Sequence, residues 1–302
     1  MIEFLKEVNK LNIGKVEKDV SLSKYTTYRV GGVAKAIIYP KNTEKLIELI
    51  NLIKKYNYKY KMLGNGSNLL FSDNEYDGVL IKLSEFNNIE IHDNKITVGA
   101  GFPLIKLSQI AMKNALTGLE FAAGIPGTIG GAIFMNAGAY KSDMGYIVKS
   151  VKVLTPDMRV ISLSNSEMDF HYRTSFLQKN PDYICLEVNI KLNHGDKNAI
   201  EKVLKDRRER RMLSQPLEYP SAGSVFRNPS DEVSSGKLID DLGLKGLTKG
   251  GAEVSVKHAN FIINKNNATA KDIKELILFV KKSVKDNYGI DLKIEQEFVN
   301  WE

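Results

Sequence analysis

The stretch EYPSAGSVFRNP, Glu218 to Pro229, sets a hydroxyl, a guanidinium and a carboxamide (Ser224, Arg227 and Asn228) in backbone that fits neither helix nor strand. Proline fixes φ and removes a donor, and glycine reaches backbone angles that other residues avoid, so together they hold their neighbours in one unusual geometry. In most chains such a cluster is a plain corner. It serves a reaction only where other residues give the hydroxyl something to do. A nucleophilic serine is one such reading, but the chain has no G-x-S-x-G turn and none of its four histidines can be assigned as the base.

Two glycine-rich segments point to a bound ligand. LGNGSNLLFSD follows a strand and offers Gly64, Asn65, Gly66, Ser67 and Asn68. Glycines there let backbone approach a phosphate closely, and Ser and Asn add donors. The segment matches neither G-x-G-x-x-G nor G-x-x-x-x-G-K-[ST], and alone it reads as a structural turn. The second segment, GLEFAAGIPGTIGGAIFMNAGAY, has glycine at 118, 124, 127, 130, 131 and 138. So many glycines among apolar residues cost entropy on ordering, which makes sense where bare amides pack against a flat or anionic ligand. Two such segments in one domain point to a dinucleotide.

The elements that must position these residues follow from periodicity. VAKAIIY reads as a strand, and NTEKLIELINLIKKYN as a helix with Leu46, Leu49, Ile50 and Ile53 on one stripe. The short strand YKYKML then enters the first glycine segment. GVLIKL, the pair IEIHDNKITVGAG with a turn at Asp93 and Asn94, and a helix opening at Pro103 come next. Beyond the second glycine segment, YIVKSVKVLTPDMRVISL reads as two strands and YICLEVNIKL as another. Helices over Asp196–Met212 and Thr269–Tyr288 dominate the remainder. A boundary is expected near His194 and Gly195, giving an N-terminal helical segment (1–20), a ligand-binding domain (21–194) and a C-terminal domain (195–302).

Composition bounds the rest. The 302 residues, 43% hydrophobic, can bury a large core in about two domains. One cysteine, Cys185, excludes an internal disulfide, fits a cytosolic setting and, within YICLEV, reads as a buried strand residue; no Cys/His cluster has zinc-ligand spacing. The net charge of +7 favours acidic partners. Its densest cluster, KDRRERRM at 205–212, is mixed in sign and reads as a solvated helix face; with no nucleic-acid module beside it, a small multiply anionic ligand is the better partner. No apolar run is long enough to cross a bilayer, so membrane insertion is not expected.

YTTYRVGG, LGNGSNLL, the long second glycine segment, YRTSF, PSAGSVFRNP, GKLIDDLGLKG and VKHANFIIN occur in the order seen in the UDP-N-acetylenolpyruvoylglucosamine reductase (MurB) flavoenzymes, and from about Ser21 onward the chain resembles that family. The resemblance implies an α+β fold: an FAD-binding domain of the vanillyl-alcohol-oxidase (PCMH) type in two subdomains, then an α+β substrate-binding domain. It implies bound FAD, NADPH as hydride donor, and cytoplasmic reduction of UDP-N-acetylglucosamine enolpyruvate to UDP-N-acetylmuramate for peptidoglycan precursor synthesis. The alternative is a flavin oxidase or dehydrogenase of the same superfold with another substrate. FAD contacts are then expected at residues 64–68 and at Gly124, Gly127, Gly130, Gly131, Asn136 and Gly138.

The family's catalytic arginine falls on Arg173 in HYRTSF, its serine on Ser224 and its substrate-contacting asparagine on Asn228. Its C-terminal acid, usually in Leu-x-x-Glu-Val-Arg, falls on Glu295 by distance from Leu292; Glu297 in LKIEQEFVN is the rival. Arg173 would hold the enolpyruvyl carboxylate with paired donors as charge builds beside it, Glu295 would orient the arginine or steer protonation, and Ser224 would protonate carbon. His171, next to Arg173 in chain order, reads as a packing residue. Between Arg173 and Ser224 the chain lacks the tyrosine-bearing loop with which one branch of the family covers the diphosphate, which leaves Arg211, Arg227 and Lys237 as candidates for that contact.

Overall fold

The computed structural model describes residues 1–301, which divide into two compact units. The first comprises Met1–Lys18, Ala36–Asn65 and Asp77–Arg210, the second Asp19–Lys35, Gly66–Tyr76 and Arg211 onward. The division is not the linear one expected from sequence. It falls at Arg210/Arg211, inside the helix Lys197–Ser214, whereas the boundary expected near His194 and Gly195 lies just before that helix begins. Two early segments also join the second unit, since Tyr28, Val30 and Leu70 are buried in its core. The N-terminal segment 1–20 is helical only in its first half: the helix Ile2–Lys10 gives Phe4, Leu5 and Val8 to a core of the first unit, and Gly14–Ser21 is a strand.

In the first unit, the helix Thr43–Lys55 is capped by Asn42, whose side chain accepts from Lys45 N, and buries the expected stripe together with Leu52. It covers a four-stranded sheet ordered Gly14–Ser21, Val33–Pro40, Tyr76–Ile81, Tyr60–Met62, with the last two strands parallel. A second, antiparallel sheet is ordered Val160–Ser164, Val148–Leu154, Ile184–Lys191, Lys95–Gly99, Ile89–His92. The turn of its last hairpin has Asp93 at φ 56°, the left-handed conformation that Asp and Asn tolerate. Its core takes Leu104 and Leu107 from the helix Leu104–Lys113, and Ile129, Ala132 and Ile133 from a short helix, Ile129–Phe134, inside the second glycine segment. Cys185 is buried in Ile184–Lys191, and burial pushes its thiol up to about 12, which suits the packing role read from sequence. The helix Lys197–Ser214 buries only Ile200, so its basic cluster is a solvated face.

In the second unit, the helix Ala270–Tyr288 starts with a capping box between Thr269 and Asp272 and ends at Gly289 in the left-handed region. Its apolar stripe, Ile273, Leu276, Ile277, Val280 and Val284, packs into one core with Val254 and Ile262 from the three-stranded sheet Thr248–Lys249, Ala252–Val254, Ile262–Asn264. Near the C-terminus, Glu297–Val299 pairs in parallel with Leu69–Phe71, the strand that follows the first glycine segment. No helix among the described residues is long and apolar enough to cross a membrane.

Candidate functional site

The two glycine segments meet in the first unit. A Cβ built on Gly64 would lie 3.0 Å from Thr128 Oγ1, so the turn after Tyr60–Met62 rests directly on the residue that caps Ile129–Phe134. Thr128 Oγ1 accepts from Gly131 N at 3.3 Å, and exposed Gly131 has only that oxygen near its absent side chain, at 3.5 Å. Lys82 adds a cation here: its ammonium donates to Gly64 O, and burial holds it below its usual range against the pull of Glu17. Close-approach backbone, an open glycine and a half-buried cation fit the diphosphate of a flavin dinucleotide. Lys82 has no signal in sequence, because GVLIKL reads only as a strand.

Other glycines answer to packing within the protein. Gly66 has φ 63°, and a Cβ there would sit 2.1 Å from Tyr25 O. At Gly138 it would lie 2.4 Å from Ser142 O and 2.5 Å from Asp143 Cβ, so this residue is small because a hairpin closes on it. At Gly130 it would press at 3.2 Å on Ala100 Cβ and O. Asn136 departs further from the expected cofactor contact. It is 1% exposed; Nδ2 donates to His171 O (2.9 Å) and Oδ1 accepts from Gly145 N (2.9 Å). Its carboxamide is thus committed to the turn that carries Arg173.

That turn is held from several sides. His171 and Thr174 exchange two backbone hydrogen bonds of 3.0 Å, with Tyr172 and Arg173 at the corner and Arg173 at φ 53°. Gln178 Nε2 donates to Arg173 O at 2.9 Å. The Arg173 guanidinium lies over the Tyr172 ring and donates from Nη2 to Gly138 O at 2.7 Å. Nearby, burial lifts the Asp143 carboxyl above its usual range, while bonds from Asn136, Gly145 and Tyr146 and the Arg173 charge oppose the rise. His171 is not packed as expected: it is exposed and bonds Asp169 at 2.9 Å.

In the second unit, Ser224 follows Gly223, whose φ is 75°. The Ser224 hydroxyl makes no hydrogen bond among the described residues, while the backbone around it is bound on both sides. Gln296 Nε2 donates to Ala222 O (3.1 Å) and Gly223 O (3.3 Å). Val225 N donates to Asn260 O (2.9 Å), and the Asn260 side chain closes a two-way pair with Phe226 N (2.9 Å) and O (2.8 Å). Glu295 N donates to Val225 O at 2.8 Å, and Glu295 O accepts from Asn68 Nδ2 at 3.1 Å, which ties Ser224, Glu295 and the end of the first glycine segment together within this unit. Glu297 begins a strand, and its charge, after burial, helps push the Tyr76 phenol up to about 12. Gln296 and Asn260 stand inside motifs that sequence marks, yet nothing in one dimension says which carbonyls they bind.

The candidate substrate contacts differ in standing. Asn228 Oδ1 accepts from Ser235 N at 3.1 Å, and Ser235 Oγ donates to Arg227 O at 2.6 Å, so both residues belong to a loop closed on the helix Ser235–Asp241. Arg211 and Arg227 are half-buried. Lys237, by contrast, spends its charge on Asp241 at 2.9 Å, one turn along the exposed face of that helix, and fits a surface pair better than a ligand.

Comparison with known proteins follows this geometry. A family model described as the C-terminal domain of UDP-N-acetylenolpyruvoylglucosamine reductase matches residues 215–299, and one described as an FAD binding domain matches residues 34–164. The chain is 44% identical to the UDP-N-acetylenolpyruvoylglucosamine reductase of Anoxybacillus flavithermus and 43% identical to that of Halalkalibacterium halodurans, each over 99% of both chains. The crystal structure of the Thermus caldophilus reductase (MurB) superposes with a TM-score of 0.80 at 36% identity, covering 94% of this chain and 98% of that one. The α+β fold expected from sequence, an FAD-binding domain followed by a C-terminal domain, is borne out.

Proposed function

Because the chain belongs to the UDP-N-acetylenolpyruvoylglucosamine reductase family, we propose that it is an FAD-dependent oxidoreductase that reduces UDP-N-acetylglucosamine enolpyruvate to UDP-N-acetylmuramate, with NADPH as the electron source. Bound FAD would, once reduced by NADPH, supply the hydride that the methylene carbon of the enolpyruvyl group takes. Arg173 holds the substrate carboxylate: its guanidinium is aimed by Gly138 O and Tyr172, and a planar guanidinium gives the paired, charge-assisted contact a carboxylate takes best. As negative charge gathers at the adjacent carbon and carboxylate, that fixed cation stabilises it without reorganising. Ser224 then delivers its proton to that carbon and is reprotonated from solvent. Glu295, tied by its backbone to Val225, steers this protonation. Gly64, Thr128, Gly131 and Lys82 would hold the FAD diphosphate.

The observation that supports the reading best is the Ser224 loop. Both flanks are bound by buried carboxamides while the hydroxyl itself is left for a ligand. A flavin oxidase acting elsewhere would need no such serine, and relatives matched over 99% of both chains carry the reductase name. The test is direct. The purified protein should be yellow, and its consumption of NADPH should require the enolpyruvyl nucleotide. A colourless protein, or NADPH consumption indifferent to that nucleotide, would end the reading.

A further inference from the structure

Two peptide planes flank the Ser224 Cα, and each is held by a different residue of the second unit. The plane joining Gly223 to Ser224 is held through Gly223 O, which accepts from Gln296 Nε2. The plane joining Ser224 to Val225 is held through Val225 N, which donates to Asn260 O. With both planes fixed, the direction of the Ser224 Cα–Cβ bond is fixed, and only rotation about χ1 is left to the hydroxyl. The first plane is the one that needs help. Gly223 has φ 75° and no atom within 4 Å of where its side chain would be, so steric packing does not hold the turn there.

Gln296 is itself fixed. Its side chain is 4% exposed, and Oε1 accepts from the hydroxyl of Tyr28, which is fully buried, at 2.9 Å. The amide therefore cannot flip without turning its NH2 towards a phenol and its oxygen towards two carbonyls. The Tyr28 hydroxyl acts as the keyed end of a relay that finishes at the Ala222 and Gly223 carbonyls. In the chain Gln296 follows Glu295, whose N–H holds Val225 O, so one short segment grips the serine loop before and after the serine.

We infer that Gln296, keyed by Tyr28, is a positioning residue that aims the Ser224 hydroxyl. The inference rests on the proposed role of Ser224 as proton donor. Gln296→Met keeps the side chain's length and volume but cannot donate to the two carbonyls. In enzyme reduced with dithionite, it should slow reoxidation by the enolpyruvyl substrate about tenfold or more, part of the roughly 10²–10⁴-fold typical of a lost general acid. Flavin content and the rate of flavin reduction by NADPH should stay as in the parent.

Positioning through Ser224 has a signature that plain loss of structure lacks. In a Ser224→Ala background, where no hydroxyl is left to aim, Gln296→Met should change reoxidation less than about twofold, because two residues acting through one group are not additive. Equal slowing in both backgrounds, or none in either, would overturn the inference while leaving Ser224 its role. If Ser224→Ala alone leaves reoxidation unchanged, the proposed function of the serine fails and the inference falls with it. Tyr28→Phe covers the case in which Gln296→Met does not fold. It removes one oxygen and should give a smaller slowing with the same dependence on Ser224, and slowing independent of Ser224 would count against the relay.

Discussion

The turn of Arg173 in one unit and the loop of Ser224 in the other are held by the same device and differ in what is left loose. Each leans on a nearly inaccessible asparagine whose carboxamide serves backbone: Asn136 for His171 O and Gly145 N, Asn260 for Phe226 N and O. At Arg173 the functional side chain is tied as well, by its bond to Gly138 O and its stacking on Tyr172. At Ser224 only the backbone is tied. A binding cation profits from a pre-aimed guanidinium, whereas a proton donor needs its hydroxyl unspent until substrate arrives. Stability and function are therefore coupled at the arginine and separable at the serine.

Ser224→Ala should break this comparison most sharply. Reoxidation of reduced flavin by the enolpyruvyl substrate should fall by roughly 10²–10⁴-fold, the usual loss for a positioned general acid. Flavin reduction by NADPH uses no such proton and should be unaffected. The denaturation midpoint should hardly move, because the deleted oxygen makes no hydrogen bond among the described residues. Stopped-flow spectroscopy separates the half-reactions; slowing confined to the NADPH step would return the loop to a structural role.

Arg173→Lys comes next in size. Lysine keeps the charge, but it loses the planar fork and with it the simultaneous hold on Gly138 O and a carboxylate. A charged hydrogen bond contributes about 1.5–3 kcal/mol, and at about 1.4 kcal/mol per factor of ten the reoxidation step should slow about 10- to 100-fold. Unlike Ser224→Ala, this change should also lower the denaturation midpoint. A midpoint equal to the parent's would contradict the coupling proposed for this turn.

Local pattern carried much of this fold and little of its second layer. The helix Thr43–Lys55 and the hairpin turn at Asp93 depend on residues a few positions apart, and local pattern finds them. Tyr28 and Gln296 bond across 268 positions, and Leu69–Phe71 pairs with Glu297–Val299, so only the folded core brings them together. The strand Gly14–Ser21 escaped notice because its burial does not alternate. Glycines read as cofactor contacts proved ambiguous for a physical reason: Gly138 and Gly66 lack side chains because neighbouring backbone fills the space, the same signature a ligand would leave. The roles of Arg173, Ser224 and Glu295 came from resemblance; their spacing alone would have left them as surface residues and a corner.

Asn136→Ala tests the other side of the comparison and should have the smallest effect on chemistry. Truncation removes one of the hydrogen bonds that His171 O, Gly145 N and the Asp143 carboxyl each make around a side chain 1% exposed. Each buried hydrogen bond lost costs about 0.5–1.5 kcal/mol, and a small cavity adds to that, so a clear fall in the denaturation midpoint is expected. The Arg173 turn, however, keeps the His171–Thr174 backbone pair, the Gln178 bond to Arg173 O and the guanidinium bond to Gly138 O. KM for the enolpyruvyl substrate should therefore rise modestly, with kcat little changed. Asp143 supplies a second readout. The Asn136 bond is the largest influence opposing the burial that raises its carboxyl, so losing that bond should raise it further. A carboxyl whose folded pKa is raised binds its proton more tightly folded than unfolded, so the variant should lose stability relative to the parent as pH rises through the carboxylate range. A variant with parent-like stability across that range but a collapsed kcat would mean that Asn136 faces the reacting groups after all, and would restore it as a direct site residue.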